Sequence, residues 1–128
     1  MANQVTNIGG MLSAITGTIA STDTSAVTIA TLPANSQIID INIDVTTAFD
    51  AGTSNDITVG KTGSAAAFVA ATDVGTAGRA SVATTGVYSA WASTGSSDIT
   101  VTATYAESGT ASTEGAARVT VVYKSYAV

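Results

Sequence analysis

The sequence predicts an all-β protein folded as an antiparallel β-sandwich. Three observations lead there. Valine and isoleucine recur with a period of two in several stretches. Glycine, asparagine, aspartate and serine cluster between those stretches. Nearly half of the chain is Ala, Thr and Ser, and only 10% is charged, a composition that suits sheets whose exposed faces carry hydroxyls. The 128 residues make one ordinary domain.

Residues 1–18 differ from the remainder of the chain. Gly9, Gly10 and Gly17 interrupt them, and Val5, Ile8, Met11, Leu12 and Ile15 have no sustained period of two. A frayed terminus and a docking arm are both open. Five aliphatic side chains favour an arm that binds a neighbouring subunit, with Val5, Ile8, Met11, Leu12 and Ile15 as its contact residues. The expected division is therefore an extended N-terminal arm, 1–18, and a single β-sandwich domain, 19–128.

Residues 26–31 form a first strand with Val27 and Ile29 inward, ended by Pro33, which cannot donate to a ladder. Residues 37–45 carry the clearest alternation. Ile39, Ile41, Ile43 and Val45 face one side, and Ile38, Asp40, Asn42 and Asp44 the other. After the polar turn Asp50-Ala-Gly-Thr-Ser-Asn-Asp56, Ile57 and Val59 mark a short strand. Residues 64–72, SAAAFVAAT, hold good helix formers but are short for a stable helix. They are placed in a connection packed by Phe68 and Val69. Residues 79–83 and 86–91 suggest a hairpin around Thr84-Thr85-Gly86. Ile99, Val101, Ala103 and Tyr105, then Ala117, Val119, Val121 and Tyr123, alternate with polar residues. With the loop Glu107-Ser-Gly-Thr-Ala-Ser-Thr-Glu-Gly115 between them, they read as a long antiparallel hairpin. About seven to nine strands of this kind suit a sandwich or barrel. The expected core is Val27, Ile29, Leu32, Ile39, Ile41, Ile43, Val45, Phe49, Ile57, Val59, Phe68, Val82, Trp91, Ile99, Val101, Tyr105, Val119, Val121 and Tyr123. An Ala-rich domain with neither disulfide nor metal is a candidate for stabilisation by oligomerisation.

Composition excludes several functions. Four basic residues, unclustered, stand against nine acidic ones, for a net charge of −5, which argues against nucleic acid as a partner. Cysteine and histidine are absent, so disulfides and the usual soft-metal sites are excluded. No apolar run reaches the ~20 residues of a membrane helix, and no secretory leader is visible. Membrane is not an expected partner, and synthesis in a cytoplasm is expected.

No catalytic constellation emerges, and no cofactor is expected. The chain lacks the usual general base, histidine, and contains no Gly-x-Ser-x-Gly elbow. Lys61 and Lys124 sit at strand ends, where solvated lysines are common, so a Ser–Lys pair is disfavoured. Asp40, Asn42 and Asp44 match the first ligands of a calcium loop, but Val45 and Ala51 stand where that loop needs glycine and glutamate. On a strand the three side chains line up ~7 Å apart rather than converge. They are expected to form a polar strand face or an intersubunit contact. Gly60-Lys-Thr-Gly63 lacks the rest of a phosphate loop and reads as a turn. Tyr88 and Trp91 are either a sugar-stacking platform or core and interface aromatics.

Three stretches carry a resemblance. Leu32-Pro-Ala-Asn-Ser-Gln-Ile-Ile-Asp-Ile-Asn-Ile-Asp-Val-Thr-Thr-Ala-Phe49 resembles a segment of small structural proteins of tailed bacteriophages. So do Ile57-Thr-Val-Gly60 with Ala67-Phe-Val-Ala-Ala-Thr-Asp73, and Gly115-Ala-Ala-Arg-Val-Thr-Val-Val-Tyr123. The likeness runs from Leu32 to Tyr123 and does not reach the N-terminal arm. It implies a jelly-roll-like capsid decoration, or cement, protein: a homo-oligomer, usually a trimer, on the outer capsid surface of the virion, bridging major capsid protein subunits. No catalytic residues come with it. The alternatives are another virion part (a tail, neck or head-fibre module) and a carbohydrate-binding adhesion module.

Overall fold

A computed structural model describes residues 12–80 and 86–126. Among these residues eight strands and one helical turn occur in chain order: β1 (Leu12–Ala20), β2 (Val27–Leu32), β3 (Ser36–Thr47), β4 (Ser54–Lys61), β5 (Ser64–Asp73), β6 (Gly78–Arg79), α1 (Tyr88–Trp91), β7 (Ile99–Ser108) and β8 (Ala116–Ser125). They form two four-stranded sheets, ordered β1-β8-β3-β6 and β2-β7-β4-β5. Every described pairing is antiparallel.

The topology obeys one rule. The first strand pairs with the eighth, the second with the seventh, the third with the sixth and the fourth with the fifth. One long antiparallel ribbon, turned at the β4–β5 hairpin and rolled up, produces this order. Rolling then brings β3 against β8 and β4 against β7. Such a double-sheet arrangement is an antiparallel β-sandwich. The two inner faces meet in one core, where Leu32, Ile41, Ile43, Ile57, Val59, Val69, Val101, Val119 and Val121 are inaccessible to solvent.

The all-β sandwich expected from the sequence is present, with several local corrections. The two C-terminal strands are not hairpin partners. β7 lies between β2 and β4 in one sheet, and β8 between β1 and β3 in the other. Their polar connection is long enough to cross the ~10 Å between sheets. Alternation identifies a strand but carries no information about its partner.

Leu12–Thr18, expected in an arm, are instead part of β1, paired residue for residue with β8. Gly17 belongs there because a Cβ at that position would press on Ile29 of the opposite sheet. Residues 1–11 lie outside the described residues.

The register of β3 against β8 breaks twice, near its start and again between Val45 and Thr47 at its end, and the first break reverses the burial parity. The register against β8 shifts between Ile38 and Asp40, so one extra residue is accommodated as a β-bulge. Ile38 is therefore buried at 3% exposure and Ile39 exposed at 41%, the reverse of the strict alternation. From Ile41 onward the expected face points inward.

SAAAFVAAT is strand β5 rather than a connection. The helix propensity of alanine is overridden because Phe68, Val69 and Thr72 are buried against the core. Several extra residues of β5 arch over β4 between the Val59–Val69 and Lys61–Ser64 pairs. A Cβ on Gly60 would collide with the Ser64 and Ala65 backbone there.

Residues 86–91 do not form the second arm of a hairpin. Gly86 makes one isolated bridge to Val69, and Tyr88–Trp91 is a single helical turn. Val82, with the rest of residues 81–85, lies outside the described residues. Of the other expected core positions, Val27, Ile99 and Tyr123 pack at the periphery of the core. Ile19, Val69, Val74, Ala103 and Ala117 complete it.

Candidate functional site

The loops at one end of the sandwich are locked by Asp50. Its carboxylate accepts the Thr113 hydroxyl at 2.6 Å, the Thr113 N–H at 2.7 Å, the Glu114 N–H at 3.0 Å and the Ser112 hydroxyl at 2.7 Å. The Thr113 hydroxyl, the Glu114 N–H and the Ser112 hydroxyl hold this carboxyl well below the usual carboxylate range. The network continues inward. The Tyr105 hydroxyl lies 2.7 Å from Asn55 Oδ1 and 3.1 Å from Glu107 Oε2. Burial, with Glu107 beside it, raises its pKa. Donors from the β7–β8 loop engage the Asp50 oxygens, so the cluster fastens the β3–β4 loop to the β7–β8 loop.

The outer face of the β1-β8-β3-β6 sheet is polar in its middle. Thr16, Thr120 and Asn42 lie side by side across three strands, with the two threonine hydroxyls 2.8 Å apart. Asp40 and Asp44 flank Asn42. Asp44 pairs with Arg118 at 2.6 Å, and Asp40 lies 3.6 Å from Arg79. The three β3 side chains thus form the polar strand face expected, and both carboxylates have arginine partners.

One end of the same face is apolar. Leu12 is 59% exposed, Ile39 is turned out by its bulge, and Tyr126 is 48% exposed. The register places Leu12, Lys124 and Gln37 in one row. The Tyr126 hydroxyl lies 2.7 Å from Gln37 Oε1, and the Lys124 ammonium sits 5.4 Å from the Tyr126 ring centroid, a cation–π contact. Of the arm residues proposed as contacts, Leu12 is on this outer face. Ile15 has the opposite parity and packs against the core, so the structure does not bring the two together. Val5, Ile8 and Met11 lie outside the described residues. Sequence reasoning missed Ile39 and Tyr126: the first needed the bulge, and the second only gains meaning beside Leu12.

The remaining candidates form no enclosed site. Asp56 and Asp73 face each other across β4 and β5 beside an open depression of 440 Å³ lined by Thr53, Asn55 and Gly75. Asp73 accepts the Gly75 N–H at 2.8 Å. Two further open depressions adjoin Lys61 and Thr62. Thr62 and Gly63 form the two-residue turn of the β4–β5 hairpin, with Gly63 at φ +85°. Among the described residues no three acidic side chains gather closely enough to hold a metal ion. Trp91 is 8% exposed and donates its indole N–H to the Phe68 carbonyl at 2.8 Å, while Tyr88 stands edge-on to it. The indole is therefore part of the core and presents no stacking platform.

Two solved structures share the fold. A chain of a structure described as the cyanophage Pam1 capsid asymmetric unit superposes with a TM-score of 0.69 at 22% identity, over 97% of this chain and 91% of that one. A chain of a structure described as the acid-stable capsid of Helicobacter pylori bacteriophage KHP30 superposes with a TM-score of 0.63 at 11% identity, over 88% of this chain and 86% of that one. No protein-family model matches the sequence, and no curated protein sequence matches it.

Proposed function

We propose that this protein is a non-enzymatic structural component of a bacteriophage virion, decorating the outer capsid surface and bridging major capsid protein subunits. One observation carries the reading. The β-sandwich superposes over 97% and 88% of the chain on chains from two phage capsid structures. The site chemistry points the same way, because the acidic clusters serve loops and strand faces rather than a reaction centre. The mechanism is mass action: many copies that bind the assembled shell and not its free subunits lower the free energy of the shell. The exposed apolar end around Leu12, Ile39 and Tyr126 supplies part of the contact, and Val5, Ile8 and Met11 extend it. Three copies at each threefold point is the stoichiometry that the sequence resemblance implies. The buried Trp91 disfavours the carbohydrate-binding alternative.

The test is co-sedimentation of the purified chain with expanded, DNA-free shells lacking it. Saturable binding is expected, reduced when residues 1–11 are removed. Absence of binding, or electron microscopy that places the chain in the tail or neck, overturns the decoration role.

A further inference from the structure

The edge strand of a sheet presents unpaired N–H and C=O groups, and proteins blunt such edges by shortness, charge, proline, bulges or a covering segment. Three edges of this sandwich are blunted. β6 is two residues long. β2 is bulged between Thr28 and Ala30 and stops at Pro33. β5 is irregular, and the Phe68 carbonyl on its outer edge accepts the Val87 N–H and the Trp91 indole N–H, each at 2.8 Å. Among the described residues β1 has none of these devices. Its nine residues, LSAITGTIA, include no charge and no proline, and they pair with β8 without a shift.

Two contacts reveal which groups face outward. The Ala20 N–H donates to Asp23 Oδ2 at 2.7 Å, and the Ala20 carbonyl accepts the Asp23 N–H at 3.0 Å. The Ser21 N–H instead reaches the Gly115 carbonyl, on the β8 side, at 3.1 Å. The direction alternates along an antiparallel strand. Leu12, Ala14, Thr16 and Thr18 therefore turn their N–H and C=O groups to the free edge, and Asp23 closes the ladder at Ala20.

We propose that β1 pairs antiparallel with β1 of a second copy about a twofold axis at Ile15, joining two four-stranded sheets into one of eight strands. Leu12 then lies opposite Thr18 of the second copy, and Ala14 opposite Thr16, so the four open residues satisfy one another. Sliding the twofold to Thr16 would set Leu12 against Ala20, whose groups Asp23 already occupies. The strand carries no charge, so no like charges oppose each other although each copy carries −5. Ile15 meets Ile15 of the second copy in the close, non-hydrogen-bonded position, and Ser13 meets Gly17. This contact is independent of the virion reading. On a shell it would join copies of neighbouring threefold sets.

Light scattering during gel filtration of the full chain tests the pairing. The expected mass is twice 12.6 kDa. Thr16→Lys places a charge at the centre of the edge, and Thr16→Pro removes an outward N–H without touching the β8 ladder. Both are expected to return the mass to that of one chain with an unchanged circular dichroism spectrum. Paired Cα atoms at such a position stand ~4.5 Å apart, within disulfide range. Ile15→Cys in this cysteine-free chain is therefore expected to oxidise to a linked dimer, while Thr18→Cys stays unlinked. A monomeric wild-type chain overturns the proposal. So does a dimer that both Thr16 variants leave intact, or one that Ile15→Cys fails to link.

Discussion

The ring of Phe49 fills the space that a side chain at Gly115 would need. Phe49 is buried against Tyr105, their ring centroids 4.6 Å apart, and Gly115 passes over it at φ +150°. Core packing and loop crossing are thereby coupled at one point, where the chain leaves one sheet and enters β8 in the other.

Gly115→Ala is accordingly expected to destabilise the fold by about 1–3 kcal/mol, the range for overpacking a filled core. Gly63→Ala meets no neighbour and carries only the left-handed backbone cost of ~1–2 kcal/mol. Thermal melts of the two variants are expected to rank Gly115→Ala as the less stable.

The Asp50 lock makes stability depend on pH with a defined sign. Its folded-state pKa is depressed below the ordinary value of 3.8. Its contribution is therefore complete above that value and is lost as pH falls through the folded pKa. Asp50→Asn is expected to melt below the wild type at neutral pH. The gap is expected to close as both are titrated well below pH ~4. A gap unchanged by acid would show that the carboxylate charge is not what holds the loops.

Ile39 and Ile41 differ by two residues and by one bulge. Ile41→Asp places a carboxylate in a fully enclosed site, at a cost of several kcal/mol, and is expected to abolish the folded circular dichroism spectrum. Ile39→Asp, on the exposed side, is expected to change stability by less than ~0.5 kcal/mol. Urea titration distinguishes them. Equal effects would remove the bulge from the account.

The Thr104 hydroxyl is enclosed and has no hydrogen-bond partner among the described residues. Replacing such a group by an isosteric methyl removes a desolvation cost of about 1–3 kcal/mol. Thr104→Val is expected to match or exceed the wild-type melting temperature.

Strand identity was legible in the sequence because alternation is local: Ile41, Ile43 and Val45 on β3, and Val119 and Val121 on β8, each show their inward face within a few residues. The turn at Thr62 and Gly63 and the stop at Pro33 were legible for the same reason. β5 was obscured by its alanines, whose propensity favours a helix until Phe68 and Val69 find a core to enter. β1 was obscured by Gly17, which interrupts the alternation yet is required where Ile29 approaches.

Partnership was decided by the tertiary structure alone. Any strand offers two edges, and nothing in its own residues states which other strand will lie on each. β7 and β8 adjoin in sequence and occupy opposite sheets, because rolling the chain sets β8 beside β1 and β3. The apolar end of the outer face was hidden likewise. A single extra residue at Ile39 reverses which side of β3 faces water, and the length mismatch with β8 that admits it exists only once the two strands have met.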